Sequence, residues 1–95
     1  MKYISLITWT DQGIQAAKDS PKRLDQAREM GQGFGVKIEE AFMTMGDVDM
    51  VCIVDAPDDE SYARFGLRLC QNGAVRTRTL KAFSEDEYRR IMNGL

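Results

Sequence analysis

The sequence predicts an α+β fold: one four-stranded antiparallel sheet with helices on one face, in the order β-α-β-β-α-β plus a short last helix. Three observations predict it. Tyr3 to Trp9 and Met50 to Val54 are apolar on both parities, as strands covered on two faces are. Two amphipathic helical patterns each end in glycine. The second and third strand patterns are joined by a connection that suits a hairpin.

Taken in order, Tyr3 to Trp9 is β-branched and aromatic and reads as the first strand. "TDQG", Thr10 to Gly13, breaks it and opens a polar connection. Ser20 then reads as an N-cap with Pro21 at the first helical position. Leu24, Ala27 and Met30 form an apolar stripe continuing to Phe34, and the glycines at 31, 33 and 35 end the helix. Val36 to Thr44 alternates as a second strand, with Val36, Ile38 and Phe42 on one parity and Lys37 and Glu39 on the other. Met50 to Val54 is too short for a helix and suits a central strand. Past Pro57 a helix to Gln71 puts Tyr62, Ala63, Gly66, Leu67 and Cys70 on one face, with Asn72-Gly73 as its stop. "AVRTRTLKAF" is the fourth strand, and Ser84 with Glu87 forms a capping box for the last helix. The ferredoxin-like arrangement of these elements places the first and third strands centrally, matching the two that are apolar on both faces.

Composition narrows the function. The 95 residues, 43% apolar, predict a single domain spanning 1–95. A chain of this size buries only about 60–65% of its unfolded surface, so self-association is a natural aid to stability. A net charge of −2 and a pI near 5.1 give no global field toward nucleic acid or anionic lipid, so neither is expected as a partner. With no cleavage-site pattern and no long apolar run, the chain reads as cytoplasmic. It contains no histidine, which excludes Ser-His-Asp and Cys-His catalysis and His-ligated metals. Cys52 and Cys70 lack CxxC spacing and read as buried hydrophobes. No cofactor and no metal is expected.

The acids of "MGDVDMVCIVDAPDDE", Met45 to Glu60, are the other conspicuous feature. Asp58, Asp59 and Glu60 fall at a helix start, where negative side chains favour the dipole and unpaired amides. Asp47 and Asp49 flank the turn at Gly46, and two carboxylates are few for a hard cation. The predicted topology gathers the end of the first strand, the hairpin and the start of the fourth strand at one end of the sheet. Trp9, Asp11, Gln12, Gly46, Asp47, Asp49, Arg76 and Thr77 are therefore the candidate residues of a small-metabolite cleft. The competing reading pairs Arg76 with Asp11 or Asp49 as a surface ion pair. If the protein is instead a cofactor-independent enzyme, Asp11, Asp49 and Tyr3 are the candidate acid–base groups, with Arg76 stabilising an oxyanion.

The face of the sheet away from the helices carries either Tyr3, Ser5, Ile7 and Trp9 or Ile4, Leu6 and Thr8, with apolar residues of the third strand. Bare, either would make a larger apolar patch than a soluble monomer usually shows. A two-fold related copy is expected to cover it, giving a homodimer or a higher oligomer, with Met43, Met45 and Met50 suited to the seam. A module that binds a protein partner without any small ligand is the third reading.

Three stretches, "WTDQGI…KDSPKR", "TMGDVDMVCIVDAPDDE" and "NGAVRTRTLKAFSEDEY", resemble the signatures of the GYD domain family, in that family's order and from Tyr3 to Ile91. The resemblance implies a ferredoxin-like, dimeric α+β-barrel fold and brings no defined reaction with it. In the family's hairpin, here Gly46-Asp47-Val48-Asp49, Val48 stands where a tyrosine is usual. More distantly, hairpin and last strand resemble the effector-binding domain of Lrp/AsnC regulators. That likeness implies a ligand cleft at Gly46, Asp47 and Asp49, with Thr77 and Thr79 on the adjacent strand. No helix-turn-helix segment accompanies it here.

Overall fold

The computed structural model describes residues Met1–Leu95. The elements are β1 (Lys2–Trp9), α1 (Asp11–Gln15), a 3-10 turn (Ala17–Asp19), α2 (Ser20–Gln32), β2 (Lys37–Met43), β3 (Met50–Asp55), α3 (Asp59–Gln71), β4 (Val75–Ala82) and α4 (Glu85–Asn93). The four strands form one antiparallel sheet in the order β2-β3-β1-β4, so the two doubly apolar strands are central. This is the ferredoxin-like α+β arrangement.

Register decides which side chains share a face. Tyr3, Ser5 and Ile7 of β1 are buried with Cys52 and Val54 of β3 and with Tyr62 and Phe65 of α3, so this is the helix-covered side. Tyr3 and Tyr62 stack there at 4.1 Å between ring centres. The open side pairs Leu6 with Val51 and Arg78, and Ile4 with Ile53 and Leu80. Of the two sets the sequence left open, Ile4, Leu6 and Thr8 are the bare ones.

Several expectations are corrected. Residues after Thr10 form a helix, not a polar connection: the Thr10 hydroxyl accepts from the Gly13 N–H at 3.1 Å and donates to the Gly73 carbonyl at 2.5 Å. Gly13 sits so close to β4 that a Cβ there would lie 2.0 Å from the Ala74 carbonyl oxygen. Ser20 is the first residue of α2 rather than its cap, because the 3-10 turn feeds straight into the helix. Gly31 lies inside α2 and is buried, and the helix stops at Gly33. A bulge between Ile38 and Glu40 reverses the parity of β2. Ile38 is therefore buried under the helices, while Phe42 pairs with Val51 on the open face and is 52% exposed. In α3 the buried line runs through Tyr62 and Phe65 toward Leu69, leaving Leu67 70% exposed.

The caps of α3 and α4 are as expected. Asp58 Oδ1 accepts from the Ser61 N–H at 2.7 Å, and Ser84 and Glu87 close a full capping box. Yet no residue of α4 is buried, and Tyr88, Ile91 and Met92 are about half exposed. The molecule measures 48 × 31 × 17 Å, with a radius of gyration of 14.3 Å. A compact chain of this length would have about 12 Å, and a terminal helix standing off the sheet accounts for the difference.

Candidate functional site

The expected strand-end convergence exists in the backbone. β1 ends beside β4 through the pair Trp9–Val75, and the Thr10 N–H donates to the Ala74 carbonyl at 3.0 Å. The hairpin reaches the same place: the Asp49 N–H donates to the Ile7 carbonyl at 2.9 Å. The side chains, however, are spent on holding the turn. Asp49 Oδ2 accepts from the Trp9 N–H at 2.8 Å, extending the ladder one step ahead of the start of β3. The Thr44 hydroxyl donates to the Val48 carbonyl at 2.7 Å, and Gly46 takes φ +123°, where a side chain would be strained. Asp47 is exposed on the turn and Asp11 on the first turn of α1.

Arg76 does not join them. It pairs in register with Thr8 on the open face, and its guanidinium turns back to the carbonyls of Val75 at 3.1 Å and Cys70 at 3.4 Å. No carboxylate lies in ion-pair contact with it, so the expected pairing with Asp11 or Asp49 is absent. Thr77 and Thr79 face the helices, where the Thr79 hydroxyl meets that of Tyr62 at 2.8 Å and Thr77 lies 3.9 Å from the Cys70 sulfur.

The acid–base candidates are likewise dispersed. Tyr3 is six residues from Trp9 along β1, a separation of about 20 Å, so it cannot act with Asp11 or Asp49. Its hydroxyl donates to Asp59, which also takes Lys81 at 2.9 Å. Burial first, and this bond second, push the phenol up to about 12. The same bond, followed by that from Lys81, holds the Asp59 carboxyl below its usual range. Asp59 is thus a cross-link between α3, β1 and β4 as well as a first-turn acid. No cluster of three His, Cys, Asp or Glu side chains is gathered in the molecule.

What the strand end does contain is a cavity of about 470 Å³ on the helix side, beneath α2. Ile7, Met50 and Cys52 form its floor, Leu24, Ala27 and Met30 line it from α2, and Trp9 and Gln12 lie at the strand end. Two expected ligand residues, Trp9 and Gln12, therefore share a hollow; Asp11, Gly46, Asp47, Asp49, Arg76 and Thr77 lie outside it. The apolar stripe of α2 is thus one of its walls. Its space is left by small residues from three separate segments, Ala16, Ala27 and Ala74, which no local sequence pattern brings together. A second feature went unread, the apolar side of α4, because a helix pattern does not say whether its own chain covers it.

Fold, hairpin and open sheet face together define a ferredoxin-like α+β module. The chain belongs to the GYD domain family, whose family model matches residues 3–92. Among characterised relatives it is similar to the glutamine synthetase and cystathionine beta-lyase binding protein of Thermus thermophilus. The two are 35% identical over 81 residues, covering 84% of this chain and 85% of that protein. In structure it resembles the leucine response regulatory protein of Mycobacterium tuberculosis, with TM-score 0.63 and 23% identity over 90% of this chain. The feast or famine regulatory protein from M. tuberculosis, complexed with L-methionine, superposes equally well, with TM-score 0.63 and 23% identity over 90% of this chain. This chain spans 53% of the length of either regulator, and the likeness is one of fold. No helix is long and apolar enough to cross a membrane.

Proposed function

We propose that this protein is an oligomeric binding module whose client is another protein, in the manner of the Thermus relative's binding of metabolic enzymes. One observation carries the reading. Two apolar surfaces have no cover within the chain: the open sheet face of Ile4, Leu6, Phe42, Val51, Ile53 and Leu80, and the side of α4 bearing Tyr88, Ile91 and Met92. The sheet faces of two copies pack together, which leaves the α4 helices as paired apolar arms for the client. The scattered acid–base candidates favour this over a reaction at the strand end. A small-molecule ligand as a second reading is favoured by the cavity beside Trp9.

Biolayer interferometry against purified glutamine synthetase and cystathionine beta-lyase tests the client reading. The intact protein is expected to bind at least one with a Kd of about 10 μM or tighter. A chain ending at Phe83 keeps the far-ultraviolet signature of the sheet and loses that binding. Absence of binding to both enzymes, or full binding by the truncated chain, would overturn the proposal.

A further inference from the structure

We infer that the cavity beneath α2 is a binding site for a small apolar monocarboxylate, a molecule with a hydrocarbon or aryl body, one anionic head and no ammonium group. The inference is independent of the protein client. The hollow is a partly open cleft of about 470 Å³, of the size that holds small organic ligands. Twelve of its 17 lining residues are hydrophobic, which sets the character of the body.

The head is set by charge. Arg23 is the single charged residue of the lining. It is half-buried, and Nη1 and Nη2 donate to the carbonyls of Ala16 at 2.9 Å and Gly13 at 3.3 Å. Those bonds fix the guanidinium at the junction of α1 and α2 and leave most of its donors free. None of the molecule's ion pairs includes Arg23, so its charge has no carboxylate partner. A fixed, planar guanidinium beside an apolar wall is the group that recognises a carboxylate through paired hydrogen bonds. One such cation balances one negative charge, which suits a monoanion. No Asp or Glu lines the cavity, so the ammonium of a free amino acid would enter without a counter-charge. Gln12 and Asn72 add neutral polar contacts where Gln12 Nε2 donates to the Asn72 carbonyl at 3.3 Å.

Trp9, the sole tryptophan of the chain, lines the cavity and reports on its filling. The test is titration of the intact protein with decanoate, decanol and leucine, followed by Trp9 emission and by ¹⁵N–¹H shifts. Decanoate is expected to give a saturable emission change with one ligand per chain and shifts concentrated on Ala16, Arg23, Ala27 and Leu69. Decanol binds about tenfold more weakly, and leucine does not bind. Arg23→Gln weakens decanoate about tenfold and leaves decanol unchanged; Ala27→Phe, verified as folded by circular dichroism, binds neither. Should Ala27→Phe fail to fold, Arg23→Gln and the shift map still decide. A flat decanoate titration, shifts lying on the open sheet face, equal affinity for decanoate in wild type and Arg23→Gln, or leucine binding as tightly as decanoate would each overturn the assignment.

Discussion

At the scale of single residues, Asp49 and Asp59 carry more of the structure than their neighbours. Asp49 accepts from the Trp9 N–H, a main-chain donor that no strand supplies with a partner at that point. Asp49→Ala leaves that donor unmet in a half-buried place and is expected to cost about 1–2 kcal/mol in urea unfolding, with oligomeric state unchanged. Asp59 governs the pH dependence at the opposite end of β1. Its lowered carboxyl contributes stability that is complete above its ordinary 3.8 and is lost as pH falls through the lowered folded value. Tyr3 works in the reverse sense: its raised phenol contributes stability that is complete below its ordinary 10.0 and is lost as pH rises through about 12. The urea midpoint is therefore expected to be flat in mid-range, falling at both extremes. In Asp59→Asn the acid limb shrinks and the Tyr3 ring resonance titrates lower, yet still above 10.0, because burial is the larger cause.

At the scale of elements, the strands and caps were legible because their signals are local. The apolar runs of β1 and β3, the Asp58 cap and the Ser84–Glu87 box depend on neighbours within a few residues. What was not legible depended on distant contacts. α1 forms because Thr10 is anchored on Gly73 and Ala74, more than 60 positions away, and the bulge at Ile38 to Glu40 is imposed by pairing with β3. The candidate cleft residues divide between two faces: Arg76 pairs with Thr8 on the open side and Thr77 with Ile7 on the helix side, an alternation that adjacent strand residues always show. α4 is the element least held by the rest of its chain, and its own cap is its main support. Ser84→Ala is expected to remove about 1 kcal/mol of helix stability. The loss is read as reduced amide protection in Glu85–Asn93, with protection in β1 and β3 unchanged.

At the scale of the whole molecule, a single sheet with helices on one side leaves its reverse apolar. Ile4, Leu6, Val51 and Ile53 lie at its centre, flanked by Phe42 and Leu80 on the edge strands, both 52% exposed. Two-fold pairing buries them, and a charge at the centre of that contact has no partner and cannot be solvated. Val51→Arg, on the open face with only Leu6 and Phe42 as its register partners and away from the helix-side core, is expected to separate the copies without unfolding either. Sedimentation velocity therefore bears most directly on the central claim. The wild-type protein is predicted to sediment at twice the 10.8 kDa chain mass or a higher multiple, and Val51→Arg at the single-chain mass. A wild-type protein that sediments at 10.8 kDa across the whole range of protein concentration would contradict it.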